Sequence, residues 1–75
     1  MKELVEYIAR SLVDDPAAVR VDEVDTDQMT VYEIQVAPDD VGKLIGRQGR
    51  IVKAIRSVVR ASAARQGKRV SVEVL

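Results

Sequence analysis

Apolar residues at Leu4, Val5, Ile8 and Leu12, with Ala9 between them, recur at helical spacing and predict an amphipathic helix over residues 2–13. Asp14, Asp15 and Pro16 end it, because the residue before a proline is pushed out of the α region. Val19, Arg20, Val21 and Asp22 then alternate as a half-buried strand does, and Val24 breaks the phase, which predicts a bulge or an early end. After the polar turn Asp25, Thr26, Asp27, Gln28, a second strand puts Thr30, Tyr32, Ile34 and Val36 on one face, so the two strands pair as a hairpin. Pro38 ends that strand, and Asp39 or Asp40 is placed to cap a short helix from Val41 to Ile45, closed by Gly46. A longer helix starts just after Gly49 and runs to about Gln66, with Ile51, Val52, Ile55, Val58 and Val59 on one arc. Gly67 suits the position just past its end, and Val70, Val72 and Val74 alternate with Arg69, Ser71 and Glu73 in a last strand.

The order α-β-β-α-α-β predicts an α+β fold of two layers, a three-stranded sheet covered on one face by three helices. If the last strand enters beside the second, those two run parallel and the sheet is mixed; the pattern leaves strand order open. A chain of 75 residues supports one domain, residues 1–75. The first six residues carry two acids and no long apolar run, so they read as neither signal peptide nor membrane span. The expectation is a soluble, cytoplasmic chain.

Composition narrows the chemistry. There is no cysteine and no histidine, which excludes disulfides, thiolate and imidazole catalysis, and the usual zinc ligand sets. Asp22, Glu23, Asp25 and Asp27 cluster at the first hairpin but lack the glycine and terminal acid of a calcium loop, so they read as a solvated turn. Neither an enzyme nor a metal or other cofactor is expected. Charge, by contrast, is informative: the net of zero conceals −8 over residues 1–40 and +8 over residues 41–75. A basic half is the footprint of a polyanion-binding surface. The alternative is that the two halves only complement each other within the fold.

The basic half opens with Leu44, Ile45, Gly46, Arg47, Gln48, Gly49, Arg50, Ile51, two glycines bracketing two polar residues between aliphatic anchors. Glycines without Cβ let the intervening peptides approach a sugar-phosphate strand, and the positive end of the long helix points at the same place. No lysine-serine or lysine-threonine pair follows, which rules out a nucleotide-binding P-loop.

This run, GKLIGRQGRIVKAIR in full, together with the element order, resembles the KH domain in its type II, prokaryotic form. In length as well, the chain is similar to the KhpA family of small bacterial RNA-binding proteins. The resemblance implies that Gly46, Arg47, Gln48 and Gly49 clamp a single-stranded RNA, or single-stranded DNA, backbone of about four nucleotides. Arg50, Lys53 and Lys43 are the candidate phosphate contacts around that clamp, with Gln48 neutral where a second base could stand. Tyr7 and Tyr32 are the only aromatics, so base recognition falls to an aliphatic groove of Leu44, Ile45 and parts of the second strand, unless these residues are core. The resemblance further implies an RNA chaperone that pairs with itself or with a larger KH-containing partner, KhpB, and affects cell-wall synthesis and cell length.

Two features of the long helix remain. Arg50, Lys53, Arg56 and Arg60 form a basic stripe, either a nucleic-acid contact or a solvated face. Ala54, Ser57, Ala61 and Ala64 form a line of small residues at spacings of three and four, a candidate homodimer or partner contact or simply helix-favouring surface.

Overall fold

The computed structural model describes residues 1–75 and places the elements as α1 (Lys2–Leu12), β1 (Arg20–Asp25), β2 (Thr30–Gln35), α2 (Val41–Ile45), α3 (Arg50–Ala64) and β3 (Val70–Val74). Single 3₁₀ turns at Pro16–Ala18, Pro38–Asp40 and Arg47–Gly49 join them. The sheet order is β1-β2-β3, with β1 antiparallel and β3 parallel to the central β2, so the sheet is mixed.

Register explains the two faces. Val21 lies opposite Ile34, and Tyr32 opposite Val72, and these side chains point together into the core. Val5 and Ala9 of α1, Leu44 of α2, and Ile55, Val59 and Ala63 of α3 close over them. On the other face Asp22, Val24 and Glu73 are exposed and Glu33 half-buried, which leaves that side of the sheet without a helix.

The break of phase at Val24 produces neither a bulge nor an early end. The ladder runs unbroken from Arg20 opposite Gln35 to Asp25 opposite Thr30, and Val24 simply stands on the open face, 43% exposed. Glu23 lies opposite Tyr32 in the ladder and stays exposed. Burial first, then the neighbouring Glu23 carboxylate, then the charge of Asp25, push the Tyr32 phenol up to about 12. The hairpin turn is set by Thr26, whose hydroxyl donates to the Met29 carbonyl and accepts from the Gln28 and Met29 amides.

The helical arcs are also rotated from the pattern. In α1 the fully buried positions are Val5 and Ala9, while Leu4 and Ile8 are half-buried and Leu12 exposed. In α3 Val52, Ile55, Val59 and Ala63 are buried, whereas Val58 is 50% exposed. Gly67 does end α3: with φ of +69° it follows a Schellman motif, in which the Lys68 amide donates to the Ala63 carbonyl and the Gly67 amide to Ala64.

Candidate nucleic-acid interface

The loop between α2 and α3 is built by three residues in left-handed or glycine-only conformations. Gly46 leaves α2 at φ +74°, ψ 175°, its amide donating to the Gly42 carbonyl at 2.9 Å. Gln48 (φ +57°, ψ 26°) and Gly49 (φ +73°, ψ 18°) then turn the chain back into α3. Gln48 is the one residue other than glycine at positive φ, a feature that its type does not announce in sequence.

The two glycines do different jobs. A Cβ at Gly46 would fall 2.6 Å from Cγ1 and 2.9 Å from Cβ of Ile51, so the start of α3 packs directly on this backbone. At Gly49 the nearest atoms to such a Cβ are Val52 Cγ1 at 3.8 Å and Lys53 Cε at 3.9 Å. The second distance is informative, because it shows the Lys53 stem lying back across the loop. Arg47, Gln48, Arg50 and Lys53 are all exposed, and none of the three cations is in an ion pair. They stand around the N-terminus of the fifteen-residue α3, whose macrodipole adds positive potential there, although the Arg50 amide itself donates to the Arg47 carbonyl.

Three expected site residues are placed differently. Leu44 is fully buried, so it anchors α2 in the core and cannot meet a base; Ile45 is half-buried at the loop's edge. Lys43 is committed elsewhere: its ammonium pairs with Asp14 and, at 3.2 Å, with Asp40. Those hydrogen bonds, to Asp14 first, hold its pKa above the usual lysine value.

Asp40 is the centre of that arrangement and the only buried charged residue. Neither it nor Asp39 caps α2 through its side chain. Instead the Asp40 carboxylate accepts the backbone amides of Asp14 at 3.3 Å and Asp15 at 3.1 Å, besides Lys43. Burial alone would raise its pKa, but the two amides and the ammonium outweigh that and hold the carboxyl below the usual range. The effect is to tie the end of α1 to the short helix that carries the loop.

The basic stripe of α3 is divided. Arg56 is half-buried and its Nε donates to the Val72 carbonyl of β3 at 3.0 Å, while Arg60 stays exposed. Ala54, Ser57, Ala61 and Ala64 are exposed on the outer arc of α3. Ala54 also borders a hollow between α1 and α3, about 510 Å³, floored by Leu4, Ile8, Ile51 and Val58 and edged by Tyr7. No helix is long and apolar enough to cross a membrane.

Residues 2–74 match the family model described as KhpA/KhpB, KH domain. Among curated relatives, RNA-binding protein KhpA of Clostridium acetobutylicum is 55% identical over 75 residues, covering all of both chains. RNA-binding protein KhpA of Chlamydia pneumoniae is 45% identical over all of this chain and 96% of its own. Of solved structures, a point variant of Era from Aquifex aeolicus superposes with a TM-score of 0.71 at 24% identity, over 97% of this chain and 28% of that one, a likeness of fold.

Proposed function

The chain belongs to the KhpA/KhpB KH-domain family, whose curated relatives here are named RNA-binding proteins and not enzymes, and from that premise we propose that it holds single-stranded RNA by the backbone at residues 46–49. The observation that carries this is the exposed loop itself: left-handed peptides at the head of α3, with Arg47, Arg50 and Lys53 unpaired around it. Peptide amides and cations would take the phosphates, and the absence of stacking aromatics leaves base contacts to aliphatic surface near Ile45. Three neutralised phosphates give a salt dependence of about −2 in log K against log salt, from about −0.7 per contact on a single strand.

The test is RNA binding by the Arg47→Asp, Gln48→Asp double variant. Aspartate tolerates the left-handed conformation at position 48, so the fold is retained. Two negative charges at the clamp should lower affinity at least about tenfold and flatten the salt dependence; unchanged binding by a variant with wild-type circular dichroism refutes the reading. The finer reading, carried by resemblance, is an RNA chaperone or post-transcriptional regulator: a single KH domain of the cytoplasm, acting with a KhpB-like partner and affecting cell-wall synthesis and cell length.

A second reading, a module for self-association or for docking on a larger KH-containing protein, is favoured by the apolar hollow between α1 and α3, with Tyr7 72% and Val58 50% exposed. Val58→Glu should dissociate such an assembly in sedimentation and leave the clamp intact; a wild-type chain that stays monomeric at high concentration, without a partner that needs Val58, refutes it.

A further inference from the structure

At the far end of α3 from the loop, Arg60, Lys68 and Arg69 line one open concavity of about 320 Å³ together with Met29 and Val70. None of the three cations is in an ion pair, and none of their side chains spends a hydrogen bond inside the protein. We infer that these three residues form a second phosphate-binding patch, which takes up the RNA strand where it continues past the nucleotides held at residues 46–49. The inference rests on the clamp reading and extends it from a four-nucleotide site to a longer one.

Three observations support it. The backbone under the patch is fixed: the Schellman motif holds Lys68, and the Arg69 carbonyl accepts the Thr30 amide at 3.0 Å. Two of the cations are thus presented from anchored positions, not from a loose loop.

These side chains do not cap the end of α3 by hydrogen bonds, because the backbone does so already. The last turn of α3 carries no base, and the Ala63 and Ala64 carbonyls are already taken by the Lys68 and Gly67 amides.

The patch is also joined to the clamp. Lys53, Arg56 and Arg60 recur at spacings of three and four, hence along one flank of α3, and the Arg56 bond to Val72 identifies that flank as the one facing β3. From Arg50 to Arg60 the helix rises about 15 Å, so a strand gripped at residues 46–49 has to continue along this flank of α3 to reach the patch.

Fluorescence anisotropy with oligouridylates of about four and about twelve nucleotides tests this between about 50 and 200 mM salt. The Arg60→Gln, Lys68→Gln, Arg69→Gln variant should bind the shorter strand as the wild type does. With the longer strand its salt slope should be shallower by about 2, three contacts at about 0.7 each, so that over that fourfold salt range the wild type loses roughly 16-fold more affinity than the variant. Lys68→Glu alone, a single exposed change, should weaken only the longer strand. Wild-type slope and affinity for the longer strand in both variants overturn the patch. The Arg47→Asp, Gln48→Asp variant run alongside separates the two readings: if it alone loses binding, the patch falls and the clamp stands, and if it alone keeps binding, the clamp falls and the patch stands. A wild type that binds neither length overturns both.

Discussion

Replacing Gly46 by alanine should damage the fold far more than the same change at Gly49, although the two glycines frame one loop. At Gly46 the backbone sits at φ +74°, ψ 175°, a region populated essentially by glycine alone, where an alanine carries about 1–3 kcal/mol of strain. Its Cβ would also stand 2.6 Å from Ile51 Cγ1 and 2.9 Å from Ile51 Cβ. Ile51 is β-branched on the first turn of α3, so rotation about χ1 gives little relief and the helix start must shift, for about 1–3 kcal/mol more. The sum is roughly 4 kcal/mol against a total stability of about 4–11 kcal/mol for a chain of this length. At Gly49, φ +73° and ψ 18° are ordinary left-handed helix values, and the new methyl meets nothing closer than 3.8 Å. The cost there is about 1–2 kcal/mol, partly offset by the lower entropy of the unfolded alanine chain. Urea unfolding followed by circular dichroism measures both, and the expected gap of about 2–3 kcal/mol corresponds to roughly 8–24 °C in Tm. Adding Ile51→Ala to Gly46→Ala should give a non-additive pair, with part of the loss recovered as Cγ1 and Cδ1 leave. Equal losses at the two glycines, or a Gly46→Ala loss under about 1 kcal/mol, would show that Ile51 does not rest on this backbone.

Asp40→Asn should destabilise the protein and release the end of α1, seen as faster amide exchange at Asp14 and Asp15, the amides its carboxylate accepts. Because the folded Asp40 pKa lies below its ordinary 3.8, its contribution is present above that value and lost as pH falls through the lower folded one; the wild type should lose stability on that descent and Asp40→Asn should lose less. Tyr32 works in the opposite sense. With its phenol raised from 10.0 to about 12, the stability it supplies is whole below pH 10 and lost as pH rises towards 12, a decline that Tyr32→Phe should flatten in alkaline melting curves. Arg56→Met keeps the stem but strips the donor from the Val72 carbonyl, and should cost about 1 kcal/mol in chemical denaturation.

The fold was legible because its punctuation is local. Pro38, Gly46 and Gly67 mark ends that the backbone obeys, and the alternation of Val70, Val72 and Val74 matches a strand that pairs in parallel with β2. The positions of the cations at Arg47, Arg50 and Lys53 could be read for the same reason, since they follow from helix spacing next to two glycines. Side-chain partnerships across the chain could not. Asp40 looks like a helix cap from its neighbours, yet its partners are amides 25 and 26 residues away, and Lys43 follows it into that network. Leu44 and Ile45 are adjacent and both aliphatic, and only the packing of α2 against the sheet decides which one is core. The helical arcs shifted because periodicity finds an apolar stripe without saying which of its edges meets the sheet; Val58 and Leu12 fell on the edge that does not.

The loop at residues 46–49 lies within the crossover from β2 to its parallel neighbour β3, and α3 packs on β3. The β1–β2 hairpin closes on local contacts, but the surface that α3 rests on is incomplete until β3 has joined the sheet. The geometry of the 46–49 loop is therefore among the last features to be fixed as the chain folds, because it waits on the pairing of β3 with β2.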